Sequence, residues 1–276
     1  MNKYKIIALD LDGTLTRSDK TISDHTREIL IEAQQRGHKV VLASGRPTNG
    51  MGYLADQLRM DEFGGTVLAF NGGEITDWST HEILNQVLFP EEAVPLLHDF
   101  AVDRGFAIMT YCGKQIFTIE EGNKYVMQSA MRNRMEIVVV DDFLKATKEW
   151  GRIPKCMIVG DPDKLEVLER EMHEYAKGKQ CLQEIDFFRS EPYYLEIVPK
   201  GIDKGQCLQI VLDHYGLKRE ELIACGDAYN DMGMIRYAGL GVAMGNAQDC
   251  VKEVADYITD SNENDGVAKV VEKFMN

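Results

Sequence analysis

Five short runs of this chain are almost wholly apolar: residues 5–9 (KIIAL), 40–43 (VVLA), 66–70 (TVLAF), 222–225 (LIAC) and 240–243 (LGVA). A strand with one wet face alternates apolar and polar side chains. These runs do not alternate, so they read as strands buried on both faces, the pattern of a parallel sheet covered by helices on two sides. Helical patterns lie between them. The clearest, Ser23 to Arg36, opens on a serine cap, puts Ile29, Leu30 and Ala33 on one face and stops at Gly37. A second spans Lys204 to Tyr215, with Leu208, Val211, Leu212 and Tyr215 facing inward and Gly216 as its stop. Strand and helix alternate at both ends of the chain, which predicts an α/β, doubly wound, mostly parallel sheet.

The middle follows another pattern. Helices are expected at 90–104, 123–135 and 162–177, and strands within 107–119, 136–140, 155–159, 186–189 and 193–198. Such a set makes an α+β domain with its own core. The expected boundaries are therefore 1–82 with 200–276 for a discontinuous sheet domain, and 83–199 for the insert. A length of 276 residues accommodates both.

Composition narrows the partners. With 31 Lys and Arg against 45 Asp and Glu the formal charge is −14, a field that repels phosphate backbones and anionic lipid surfaces. Nucleic acid and membrane are thus not expected partners. No apolar run approaches the ~20 residues of a membrane span, and the opening apolar stretch is too short for a signal peptide, so a cytoplasmic location is expected. The six cysteines form no CxxC pair and no histidine stands at zinc-ligand spacing.

The first strand runs straight into Asp10-Leu11-Asp12-Gly13-Thr14-Leu15. Ligands of parallel sheets bind beyond the carboxyl ends of the strands, and alternation lets Asp10 and Asp12 face the same cleft. Two adjacent carboxylates repel unless a cation sits beside them, and Mg²⁺, hard and partial to oxygen and phosphate, suits the position. An acidic turn in solvent would give the same segment. Three other segments favour chemistry. Ser44-Gly45-Arg46 follows the second run, Gly226-Asp227-Ala228-Tyr229-Asn230-Asp231 follows the fourth, and Lys204 opens a helix after Gly201-Ile202-Asp203. Carboxylates, a hydroxyl and an ammonium group at sheet-edge turns suit a phosphoryl group held against Mg²⁺.

In this order DLDGTL, SGR, GIDKG and GDAYND resemble the four motifs of the haloacid dehalogenase-like phosphohydrolases. FNGGEI before the insert, LEIVPKGIDKG after it and the insert's length resemble the large-cap, Cof-like branch of that superfamily. The resemblance implies a Rossmann-like core, an inserted α+β cap domain, Mg²⁺ dependence and hydrolysis of small phosphate monoesters such as sugar phosphates or phosphorylated cofactors. It casts Asp10 as the nucleophile that forms an aspartyl phosphate and Asp12 as the general acid and base. It further implies Mg²⁺ ligands from the Asp10 carboxylate, the Asp12 backbone carbonyl and Asp227, with Asp231 in support. Ser44, Gly45, Lys204 and Asn230 would hold the phosphate and Asn71 would contact the substrate. Arg46 is a supporting residue that either holds substrate or pairs with a nearby acid. Asp203 reads as the cap of the Lys204 helix.

A phosphomutase of the same superfamily would use the same two acids, and a regulator that binds a phosphorylated ligand without turnover would keep the same fold. The glycines of Gly239-Leu240-Gly241 flank a strand instead of leading from one into a helix, which argues against a dinucleotide site. Tyr111, Cys112 and Arg189, near strand ends of the insert, are candidates to line the substrate pocket, with ordinary packing or solvent exposure the plainer reading of each.

Overall fold

The computed structural model describes residues 3–276. Its strands in chain order are β1 (Ile6–Leu9), β2 (Lys39–Ala43), β3 (Thr66–Ala69), β4 (Glu74–Asp77), β5 (Ile83–Gln86), β6 (Ala107–Cys112) and β7 (Gln115–Thr118). They continue as β8 (Glu136–Val139), β9 (Cys156–Val159), β10 (Ile185–Glu191), β11 (Tyr194–Pro199), β12 (Leu222–Gly226), β13 (Leu240–Ala243) and β14 (Tyr257–Ile258). The chain divides into two compact units, Met1–Asn85 with Ile202–Asn276, and Gln86–Gly201.

The larger unit is built on one sheet in the order β14-β13-β12-β1-β2-β3-β4-β5. From β14 to β3 every neighbouring pair is parallel, with Ile6 level with Leu222 on one side and Lys39 on the other. The apolar runs pack as their composition requires. Ile6, Ala8, Val41, Ala43, Leu68 and Ala224 pack with Leu208, Val211 and Leu212 of the helix Lys204–Tyr215 on one face of the sheet. Ile7, Leu9, Val40 and Leu42, also fully buried, point to the other face. The helix Asp24–Gln35 begins at Ser23, whose hydroxyl accepts the Thr26 N–H. Gly37 follows its end at φ +94°.

The hairpin β4–β5 departs from the sequence reading. β4 runs antiparallel to β3 and β5 is the edge strand beside it, so residues 83–85 belong to the larger unit and the insert starts at 86 instead of 83. At the other end the insert extends past β11 to Gly201.

The inserted unit has a six-stranded sheet, β10-β11-β9-β6-β7-β8, antiparallel except for β7 with β8. Helices Ala93–Val102, Phe143–Trp150 and Pro162–Ala176 cover one face through Leu97, Phe100, Phe143, Leu165, Leu168 and Met172. The second of these was not expected from the sequence. It is only two turns long, capped by Asp142 and stopped by Gly151 at φ +67°. Tyr111 and Cys112 are buried, the Tyr111 hydroxyl lying 3.0 Å from Ser129 Oγ, and Arg189 pairs with Glu169. Among the described residues no helix is long and apolar enough to cross a membrane.

Candidate active site

The loops after β12, β1, β2 and β3 leave the carboxyl ends of adjacent strands of the larger unit, and Lys204 opens a helix of the same unit. After β1 the chain winds through one wide turn in which the Leu15 N–H donates to the Asp10 carbonyl at 3.2 Å and the Thr16 N–H to the Leu11 carbonyl at 2.8 Å. These are i→i−5 bonds of the π type, a geometry that recurs at functional sites. Leu11 and Leu15 are buried and anchor the turn, while Gly13 supplies its φ of +90°. The Gly13 carbonyl accepts from Asn246 Nδ2 at 2.8 Å. Gly13 also touches the neighbouring loop, because a Cβ at this position would lie 2.5 Å from Asp227 Oδ2.

Lys204 stands at the centre of the cluster. It is the first residue of its helix, whose N-terminus is capped by Asp203 through the N–H groups of Gly205 and Gln206. Its ammonium, fully buried, donates to Asp10 Oδ1 and to Asp231 Oδ1, both at 2.6 Å. The other oxygen of Asp231 accepts the backbone N–H groups of Asp227 and Ala228, each at 3.0 Å. Both oxygens of Asp231 are thus engaged in holding the loop and the lysine. Thr14 Oγ1 donates to Asp227 Oδ1 at 2.9 Å.

Asp10, Asp227 and Asp231 each offer one oxygen, all within 4.8 Å of one another. Three carboxylates against one ammonium leave two negative charges in a buried space. Burial and that excess together shift the titration of the group. Burial, then the Asp231 charge, push Asp10 up to about 8 against the pull of Lys204. Burial also lifts Asp227 to about 6, with Thr14 opposing and Asp231 adding to the rise. For Lys204 burial works against the charged form, but Asp10 and Asp231 outweigh it and hold the lysine protonated above its ordinary range. Hard oxygen donors with two uncompensated charges fit one divalent cation such as Mg²⁺.

Asp12 faces other partners. Arg46, itself buried, grips its carboxylate with two bonds, Nε to Oδ2 at 2.9 Å and Nη2 to Oδ1 at 2.6 Å. Lys20 Nζ approaches the same Oδ1 at 2.8 Å. Of the two sequence readings for Arg46, pairing with a nearby acid describes its contacts in this structure.

The loops after β2 and β3 interlock. The Phe70 N–H donates to the Arg46 carbonyl at 3.0 Å and the Asn71 N–H to the Ser44 carbonyl at 2.9 Å. These bonds hold Phe70 and Asn71 at positive φ, +52° and +58°. Asparagine tolerates that conformation, whereas a bulky residue there is strained. Ser44 is buried, and its hydroxyl accepts the Arg46 N–H at 3.2 Å. A Cβ on Gly45 would come within 3.2 Å of the Asn71 amide, so the bare backbone admits that close approach. Asn230 Nδ2 in turn donates to Asn71 Oδ1 at 3.3 Å.

The structure thus brings Asp10, Asp227, Asp231 and Lys204 into one cluster, and links Ser44, Gly45, Asn71 and Asn230 in a second group. Asp12 and Arg46 pair with each other beside the first. Thr14, Lys20 and Asn246 were not singled out from the sequence. Thr14 lay inside the DLDGTL phrase and carried a signal. Lys20 and Asn246 carried none, since their partners are set by how loops fold back.

Comparison with known proteins places the whole chain. The family described as haloacid dehalogenase-like hydrolase matches residues 7–271. A 5-amino-6-(5-phospho-D-ribitylamino)uracil phosphatase of Bacillus subtilis (strain 168) is 33% identical over 271 residues, covering 98% of this chain and 96% of that protein. The crystal structure of a haloacid dehalogenase-like hydrolase from Bacteroides thetaiotaomicron superposes with a TM-score of 0.92 at 49% identity, covering 98% of this chain and 99% of the other. A sugar phosphatase of subclass IIB in the same superfamily superposes with a TM-score of 0.78 at 25% identity over 98% of each chain.

Proposed function

Because the chain belongs to the haloacid dehalogenase-like hydrolases and is a phosphoric monoester hydrolase, we propose that it cleaves small polyhydroxy alkyl phosphates through a phosphorylated Asp10, with Mg²⁺ as cofactor. The observation that carries this reading is the cluster of Asp10, Asp227 and Asp231, with the buried Lys204 ammonium bonded to Asp10 and Asp231.

Lys204, bonded to Asp10 Oδ1, fixes the rotation of that carboxylate and offers positive charge to the phosphoryl oxygens. The Ser44 hydroxyl, the Gly45 N–H and Asn230 hold the remaining phosphoryl oxygens, and Asn71 contacts the substrate. Asp10 attacks phosphorus and the bond to the alkyl oxygen breaks, with Asp12 delivering its proton to that oxygen. Asp12, now a carboxylate, takes a proton from water as the water attacks phosphorus. Inorganic phosphate leaves and Asp10 is restored. Asp10, the Asp12 backbone carbonyl and Asp227 would hold Mg²⁺, with Asp231 engaged by Lys204 and the loop amides in a supporting role. Bound there, the ion supplies charge neutralisation to the phosphoryl group.

The substrate class rests on the relatives. One is a phosphatase of a ribityl phosphate and another of sugar phosphates. Both present an alkyl leaving group too basic to depart unprotonated, which gives Asp12 its task. A screen of phosphorylated metabolites with Mg²⁺, reading inorganic phosphate, tests the proposal. Release from sugar and polyol phosphates without a bisphosphate activator is expected. Isomerisation that depends on a bisphosphate would instead identify a mutase.

A further inference from the structure

We propose that Lys20 is a positioning residue for Asp12, holding the carboxylate from its exposed side while Arg46 holds it from the buried side. The inference rests on the acid and base role proposed above for Asp12.

Lys20 ends a tight turn in which its N–H donates to the Arg17 carbonyl at 2.9 Å and the Arg17 N–H donates to the Thr21 carbonyl at 2.9 Å. Asp19 secures the same turn, accepting the Thr21 N–H at 3.0 Å and the Thr21 hydroxyl at 2.6 Å. The shape of the turn therefore does not depend on the Lys20 side chain. The backbone of Lys20 sits at φ +67°, where glycine or asparagine is at ease and a lysine costs about 1 kcal/mol. Packing does not explain the choice, because the side chain is 50% exposed. Its ammonium nevertheless reaches back across the loop to Asp12 Oδ1 at 2.8 Å.

Arg46 Nη2 meets the same oxygen at 2.6 Å, so two cations converge on Oδ1 while Arg46 Nε binds Oδ2. Rotating the carboxylate breaks charge-assisted bonds to both side chains together, and orientation is what a proton donor needs. Without Lys20 the carboxylate keeps its two Arg46 bonds but loses the cation that holds Oδ1 from the exposed side, so its orientation is less closely fixed. Such a defect falls on proton transfer, so it weighs most on esters whose leaving group requires the proton.

The test compares Lys20→Gly with the parent protein in single-turnover cleavage of glycerol 2-phosphate and of p-nitrophenyl phosphate. Glycine relieves the strained backbone, so the variant should unfold at the same or a higher temperature. Its rate on the alkyl ester should fall about tenfold and that on the nitrophenyl ester less than about twofold. Lys20→Arg should recover most of the alkyl rate. In an Asp12→Ala background the Lys20→Gly change should have no further effect. Equal losses on both esters, or a loss that persists without Asp12, overturns the proposal. Should Asp12→Ala itself reduce both esters alike, the acid role of Asp12 fails instead, and the coupling between the two substitutions still decides whether Lys20 acts through it.

Discussion

Replacing Gly13 with alanine isolates the contact between the two acidic loops. A methyl group at that position lies 2.5 Å from Asp227 Oδ2 and 2.9 Å from its Cγ. Ordinary contact begins near 3.4 Å, so the Asp227 carboxylate or one of the loops must yield by about 1 Å. A shift of that size breaks the 2.9 Å bond from Thr14 to Asp227, worth about 1 kcal/mol. The φ of +90° adds roughly 1–2 kcal/mol for any residue with a Cβ. The sum, about 2–3 kcal/mol, lowers the melting temperature by roughly 5–10 °C for a unit of this size. Turnover should suffer more, on the order of 10²-fold, because a displaced Asp227 no longer stands where it would hold Mg²⁺ beside Asp10. Gly37→Ala is the control, since that residue has φ +94° and nothing within 4 Å of its Cβ position. It should pay the backbone cost alone and keep full turnover. Scanning calorimetry and steady-state kinetics on both variants decide the matter. A Gly13→Ala protein as active as its parent would refute the close packing of Asp227 on this loop.

Other perturbations test separate parts of the account. Lys204→Met leaves the buried carboxylates of Asp10 and Asp231 without their counter-charge, so the protein should lose on the order of 3 kcal/mol of stability in urea unfolding, along with nearly all turnover. Mg²⁺ binding, followed by calorimetry without substrate, should strengthen as pH rises from 6 to 8 and release protons, because Asp227 and Asp10 hold protons up to about 6 and about 8. Affinity independent of pH would contradict that assignment, and Ca²⁺, with its longer bonds and larger ligand set, should not support turnover. Away from the site, burial pushes Asp77 up, but bonds from Ser79, Thr80 and His214 prevail and bring it to about 2. A depressed carboxylate stabilises above its ordinary value near 4 and loses that contribution as pH falls toward 2. Asp77→Asn should therefore be less stable than its parent at pH 7, with the gap closing between pH 4 and 2.

The parallel strands were legible because burial on both faces leaves nothing polar within them, as β1 and β12 illustrate. The acids were legible for a related reason: Asp10 and Asp227 follow such strands directly, so the strand end locates them. β4 and β5 escaped because these four-residue strands are rich in polar side chains, Glu74, Thr76 and Asp77 in the first and Asn85 and Gln86 in the second, and so carry little apolar pattern. Lys20 escaped for another cause. Its place beside Asp12 follows from a backbone turn at positive φ, and a lysine is not a residue that signals such a turn. Arg46 was recognised as a candidate, but its choice between substrate and acid depends on the 2.6 Å and 2.9 Å contacts that only the folded loops define.

The identity of the nucleophile is the central claim, and trapping the phosphorylated enzyme tests it most directly. With p-nitrophenyl phosphate the leaving group hardly needs a proton, so Asp12→Ala should still allow attack by Asp10 while the water step, without its base, lags. Mass spectrometry after an acid quench should find one added phosphoryl group on Asp10 in that variant and none in Asp10→Asn. Label on another residue, or substantial turnover by Asp10→Asn, would contradict the account.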